Sequence, residues 1–383
     1  MIPLLYPKNT VKTDFFTSNG LGFFDKCIKC EVTEERNAGY ELEAEILKND
    51  RLAKSVVPGA FVKVKPNVKD DPQVFEIYEV TTTNEKIKIN AQHVKYFLNY
   101  NSTTEPFYDE TGTPTELWAE LQRYLAVDNP FEFYTDINST HTILSNVEIN
   151  LSAGEILAGV RGSFLDIFGG ELHFDNFTVN FLQNRGEQTG VCLRYGSNIS
   201  STEQTVDNIT VYSHILPYAY VYSKMEGDDW NIEQMYLSRL SGAIDITSGA
   251  NFEYKKVLML DLTDQMQDVV VEWYDNPPIP KSSSLSAAIE RLNAEAVEYL
   301  NRYTNELKYP STSIKIDTTE TLNGLQELGL CDSIYIIING EKTTAKITKC
   351  VYDSLAEKYT EMEIGKQKKD LSNVINITNM GAV

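Results

Sequence analysis

The sequence predicts a mainly β, α+β protein built from several domains, and three observations carry that expectation. The 383-residue chain is too long for one compact core, so two to four domains are expected. It holds 22 tyrosines and 16 phenylalanines, side chains that suit a pleated, half-buried strand. Short runs that alternate apolar and polar residues recur along most of its length, with helical spacing confined to three stretches.

The first hundred residues read as strands: KCIKCEVTE, YELEAEIL, AFVKVKP, QVFEIYEVT and KIKINAQHV, with turns at Pro58-Gly59 and Asp71-Pro72. Their near-regular spacing suggests a barrel or a sandwich. Residues 101–113, NSTTEPFYDETGT, are polar and turn-rich and read as a linker. A helix follows. Pro114 fits its first turn, where a missing donor costs nothing, and Leu117, Trp118, Leu121, Tyr124 and Leu125 share one face. Residues 151–168 read as a second helix, leading into the strands ELHFDNF and TVNFLQN. Gly169-Gly170 and Gly186 punctuate this region, as turns needing positive φ would. A helix followed by antiparallel strands is α+β order.

From 190 to 275 the pattern is again extended: VCLRY, NITVYSHILPYAYVYS, KKVLMLDL and DVVVEWY, closed by Asn276-Pro277-Pro278 and Pro280. The longest helical pattern then runs through SLSAAIERLNAEAVEYLNRYTNEL. Its stripe of Leu285, Ile289, Leu292, Ala296, Tyr299 or Leu300, Tyr303 and Leu307 is expected to pack in a core. SIYIIING, TTAKITKCVYD and TEMEIGK return to β. FEIYEVTTTNEKIKINAQHVKYFL and SIYIIINGEKTTAKITKCVYDSLA share a loose form, an internal echo that two related small barrels would explain. Residues 366–383 show little patterning and read as a tail or the start of a linker.

Formal charge is -21, with a pI near 4.7. That balance opposes tight nucleic-acid binding, which needs basic groups to displace phosphate counterions. An acidic wall could instead let DNA slide past without sticking, if the acids point toward it. Lys8 cuts the N-terminal apolar run short, so no signal-peptide core is expected, and no stretch approaches the length of a membrane span. Five cysteines, Cys27, Cys30, Cys192, Cys331 and Cys350, make no disulfide framework. Cys27 and Cys30 form a CxxC. On a regular strand their sulfurs would point to opposite faces, which spoils chelation, so structural thiols are expected.

The four histidines, His93, His141, His173 and His214, show no HExxH spacing. His173-Phe174-Asp175 would place two potential ligands on one strand face, with strand-edge packing the plainer expectation. There is no phosphate-cradling glycine motif and no GxSxG elbow. Acid pairs such as Asp261 and Asp264 are uninformative without spatial separation. Trp118, Trp230 and Trp273 could stack on sugars, with core packing the better expectation. No catalytic, cofactor-binding or metal-binding residue is nominated.

Several stretches carry a resemblance: CEVTEERNAGYELEAEI, FEIYEV and INAQHVKYFL near the N-terminus; GSFLDIFGGELHFDNFTVNFLQNRG and RYGSNI in the middle; LGLCDSIYI, VYDSLAEKYTEMEIG and GKQKK near the C-terminus. In these the chain resembles the tail-associated hub proteins of long non-contractile phage tails, the family labelled prophage tail endopeptidase (Tal). The resemblance implies a baseplate-hub-like fold with two small β-barrels plus α+β insertions. It implies a first barrel at 1–98, an α+β domain at 99–185, a split second barrel at 186–225 and 313–365, and a helix-bearing insertion at 226–312. It further implies a homotrimeric ring closing the tail tube in the virion tail tip, made in the host cytoplasm. The implied partners are the distal tail protein, tail-tube proteins and receptor-binding or lytic components. DNA would pass only transiently, with no membrane insertion and no cofactor. The family's endopeptidase label belongs to downstream lytic domains with HxH and His-x-x-x-Asp zinc pairs, neither of which this sequence contains. A tail-associated cell-wall hydrolase, endopeptidase or glycosidase, is the alternative, and a carbohydrate-binding adhesin a third reading.

Overall fold

A computed structural model of the chain describes all residues except 146, 148, 195–200, 208–211, 228–231, 240–241, 247–254, 275–276, 309–310, 318–327, 339–340 and 366–383. The tail expected at 366–383 therefore lies outside the described residues. The chain divides into two compact units, Met1–Thr205 with Ser313–Gln367, and a second built on Val206–Thr312.

The first unit begins with β1 (Leu4–Tyr6), helix α1 (Asp14–Thr17), β2 (Gly22–Phe23), β3 (Cys27–Glu35), β4 (Tyr40–Leu47), β5 (Phe61–Val64), β6 (Gln73–Thr82) and β7 (Lys86–His93). Period-2 patterning sets these strands. In β4, Tyr40, Leu42, Ala44 and Ile46 are buried while Glu41, Glu43 and Glu45 point outward. In β7, Ile87, Ile89 and Ala91 are buried between outward Lys86, Lys88, Asn90 and Gln92. A 3-10 turn at Val94–Tyr100 follows, then β8 (Glu110–Gly112).

Residues 101–113 are not a free linker. Asn101, Thr103 and Phe107 are buried, and β8 pairs antiparallel with β10 (His141–Ile143), so this polar stretch is folded into the core by its few inward side chains. Helix α2 (Pro114–Tyr124) starts as expected, with Pro114 in its first turn and a capping box in which Thr113 and Glu116 satisfy each other's backbone N–H. Leu117, Trp118 and Leu121 are buried. After β9 (Glu132–Thr135), the single helix expected at 151–168 is two short ones, α3 (Ala153–Ala158) and α4 (Phe164–Phe168). Gly159 stops the first and Gly162, at φ +81°, turns the chain between them.

The expected strands follow as β11 (Glu171–Asp175) and β12 (Thr178–Leu182), an antiparallel pair joined through Asn176 at φ 49°. The three-stranded sheet β11-β12-β9 and the three helices share one apolar core that includes Phe131, Phe164, Phe174 and Phe181.

Next come β13 (Gln188–Arg194) and β14 (Ser201–Asp207). The second unit follows. It is centred on β15 (His214–Met225), which pairs antiparallel with β16 (Ile232–Ser238) and β17 (Ile244–Asp245). Along its other edge β15 runs parallel to β18 (Val257–Asp261) and β19 (Val270–Tyr274), and β20 (Ile279–Pro280) closes the six-stranded sheet. Helix α5 (Ser282–Lys308) covers one face, burying Ala288, Leu292 and Ala296, with Leu285, Ile289, Tyr299 and Leu300 packed at the margin. The stripe read from the sequence is core as far as Leu300. The Tyr303 and Leu307 side chains lie outside the described residues.

The chain then returns to the first unit as β21 (Ser311–Asp317), β22 (Ser333–Ile338), β23 (Glu341–Asp353) and β24 (Lys358–Gly365). The internal echo corresponds to two hairpins, β6–β7 and β22–β23. Pairing of β23 with β3, from Lys349↔Glu35 to Asp353↔Glu31, joins the early and late strands into one thirteen-stranded sheet. No helix among the described residues is long and apolar enough to cross a membrane.

Candidate functional site

The chemistry-bearing side chains of the first unit converge on a buried ionic junction. Arg185, just past β12, reaches Glu34 on β3 at 2.6 Å and Asp70 before β6 at 3.5 Å. Asp70 also meets His173 of β11 at 3.3 Å and accepts from the Asn67 amide at 2.8 Å. Glu171, only 1% exposed, pairs with Arg36 at 2.8 Å and Lys346 at 2.5 Å, and accepts from the Arg185 backbone N–H. Asp332, equally buried, pairs with Lys69 at 2.7 Å and accepts from the backbone N–H groups of Gly329 and Glu187.

Buried charges persist only when paired and hydrogen-bonded, and here each carboxylate has several partners. Burial raises the Asp70 carboxyl, but the adjacent His173 imidazole, Arg185 and Asn67 outweigh it and hold it well below the usual carboxylate range. Glu171 is also lowered, burial being outweighed by Lys346, the Arg185 N–H and Arg36.

Next to it lies a neutral network. Gln73 donates to Asp175 at 2.8 Å, accepts from the Asn176 N–H at 2.5 Å and faces His93 Nε2 at 3.1 Å. His93 Nδ1 accepts from the Lys95 N–H, which leaves Nε2 as the donor to Gln73. Burial keeps this imidazole uncharged, its pKa well below the ordinary value, stacked on Tyr40 with ring centroids 4.4 Å apart.

His173 and Asp175 do point to one side, as their spacing requires, but each is spent on a different partner, Asp70 and Gln73. No group of three His, Cys, Asp or Glu side chains able to hold a metal occurs among the described residues. His141 is exposed against Phe168, and His214 contacts Ser213. Asp261 accepts from the Thr263 N–H and hydroxyl; the Asp264 side chain and Trp230 lie outside the described residues. Trp118 stacks on Phe133 at 4.8 Å in the core, and Trp273 packs at the margin of the second core.

The opposite-face reading of Cys27 and Cys30 is overturned. β3 carries a bulge between Cys27 and Lys29, and the extra residue resets the alternation; the Cys27 thiol donates to the Lys29 carbonyl at 3.2 Å, and the neighbouring Cys30 thiol holds its pKa below the ordinary value. Gly186 also differs from expectation. Its φ is not positive; the need is space, because a Cβ there would lie 2.0 Å from the Cys331 carbonyl oxygen. Burial pushes the Cys331 thiol up to about 12, which removes it as a nucleophile. The sequence reading missed Arg185, Glu34 and Asp70. Their one signal was an arginine inside the glycine-punctuated motif.

Beyond the junction, the outer face of β3, β4 and β7 is a ladder of ions: Lys29 with Glu31 and Glu43, Lys88 with Glu43, and Lys86 with Glu45. The arrangement keys strands together and presents carboxylates to solvent.

No family model matches the chain, and no curated protein matches it. Solved structures do. A prophage tail protein, gp18, from Listeria monocytogenes EGD-e aligns over 99% of both chains with a TM-score of 0.51 at 14% identity. The chain has the fold of prophage tail proteins. A tail protein from Neisseria meningitidis MC58 aligns over 96% of both chains with a TM-score of 0.54 at 9% identity. The 43 kDa tail protein of prophage MuSo2 from Shewanella oneidensis covers 95% of this chain and 97% of its own, with a TM-score of 0.53 at 9% identity. The likeness spans both units, so the fold expected from the sequence, mainly β with α+β parts, is the fold these tail proteins share.

Proposed function

We propose that the chain is a structural, non-enzymatic tail-tip protein of a phage or prophage, located in the virion tail. It forms a homotrimeric ring that closes the distal end of the tail tube, binds the distal tail protein on one side and carries receptor-binding or cell-wall-penetrating parts on the other. The carrying observation is the near-full-length likeness to three tail proteins. Such a part must keep its shape under load. The ionic junction supports this reading, because it ties together segments as distant as Glu34, Arg185 and Asp332 through short, shielded contacts. The charge of -21 supports transient passage of DNA, since a polyanion slides past a like-charged wall.

Gold-labelled antibody against the chain, imaged on intact particles by electron microscopy, tests the proposal. Label at the distal tail end is the expected result; label on the head, or none on particles that contain the chain, contradicts it.

A further inference from the structure

One cavity of the first unit carries chemistry that neither the ionic junction nor the tail-tip reading uses. It has a volume of about 360 Å³ and is walled by the β3–β4 turn, the Val94–Tyr100 turn, α3 and β11. At roughly 30 Å³ per water, that is room for about a dozen waters or a small organic ligand. Leu98, Leu157, Leu172 and Phe174 make most of its wall apolar.

Lys95 brings a cation into it. Its ammonium donates to the Ala38 carbonyl and lies 5.2 Å from the Tyr96 ring centre and 4.9 Å from that of Phe174. It forms no ion pair with a carboxylate among the described residues, which leaves two of its three N–H donors without a protein acceptor there. Two other polar side chains on the wall are occupied, and the Asn99 amide is a further polar group there. Asn37 bonds Gly170 O and the Leu172 N–H, and Glu155 caps α3 by accepting from the Ser152 N–H and hydroxyl.

We propose that this cavity binds a small monocarboxylic acid with an apolar tail, the carboxylate meeting Lys95 and the tail lying against the leucines and Phe174. One ammonium neutralises one negative charge, and the Glu155 carboxylate on the same wall disfavours a dianion. Burial pulls Lys95 down to about 8, against the proton-holding charges of Glu34, Glu35 and Glu41 and with the repulsion of Arg185. Acid binding is therefore lost as pH rises through that value. A free aliphatic acid and the C-terminal residue of a polypeptide share this chemistry.

The test labels native full-length protein with trinitrobenzenesulfonate near neutral pH and follows each lysine by peptide mass mapping. Probes are hexanoate, N-acetyl-leucine and their neutral amides. The expected result is several-fold slower labelling of Lys95 with at least one acid, no slowing with its amide, and no change at Lys88. Protection by hexanoate alone points to a free acid, and by N-acetyl-leucine to a chain terminus. Equal protection by acid and amide, or by none, overturns the proposal. In equilibrium dialysis Lys95→Arg should keep binding hexanoate and Lys95→Met should lose it; a Lys95→Met protein that binds as well as the parent also overturns it.

Discussion

The two units bury their strands by the same rule and differ in what else they bury. In the first, Glu34, Glu171 and Asp332 are buried charges, and Arg185, Lys346 and Lys69 cross between elements to meet them. In the second, the described core is aliphatic, and Ser213 is its one buried polar side chain among the described residues. Their outer faces differ too. β3, β4 and β7 present paired lysines and glutamates, while β15 and β16 present tyrosines: Tyr236 lies 5.6 Å from both Tyr218 and Tyr220. The first unit is thus keyed by specific ionic contacts between segments far apart in sequence. The second is held by a helix laid on a sheet. Apolar packing tolerates repacking, whereas a buried charge tolerates no missing partner.

The largest test of that contrast is Arg185→Met. It leaves Glu34 buried without its cation and should cost the first unit about 3–5 kcal/mol, leaving hydrogen exchange in β15 and α5 unchanged. Equal loss of protection in both units would break the comparison.

Acid should separate the units next. The Asp70 and Glu171 carboxyls are held low in the folded chain. Their stabilisation is full above the unfolded values of about 3.9 and 4.3 and is lost progressively as pH falls below them. Protection in β3, β11 and β23 should fall with acid before that in β15. The opposite order would count against an ionic key.

Smaller effects should come from the outer faces. Tyr236→Ser removes two ring contacts and should lower the second unit's unfolding free energy by about 0.5–1.5 kcal/mol, read from denaturant titration. Lys88→Ser removes one partly exposed partner of Glu43 and should cost about 0.2–1 kcal/mol, shrinking in high salt. If the Lys88 change proves the costlier, the ladder is more than a surface feature.

The parts legible in the sequence were those set by local periodicity. Alternation gave β4, β7, β11 and β12, and the stripe through Leu292 gave the buried face of α5, because burial on one face writes itself into neighbouring residues. What stayed hidden depended on contacts across the chain. The break at Gly162 looked like helix because the apolar spacing continues across it. Phe107 sits in a polar stretch whose few inward residues gave no period. The bulge at Cys27 is one extra residue, invisible to an alternation argument that assumes a regular strand. Arg185 meets Glu34 across 151 positions, and nothing in a single sequence marks that pairing.

Absolute mass by light scattering across a concentration series tests the central claim, a self-assembling tail-tip body, most directly. A species at three times the chain mass of 43.4 kDa is the predicted result. A mass fixed at that of one chain over the whole series would contradict it.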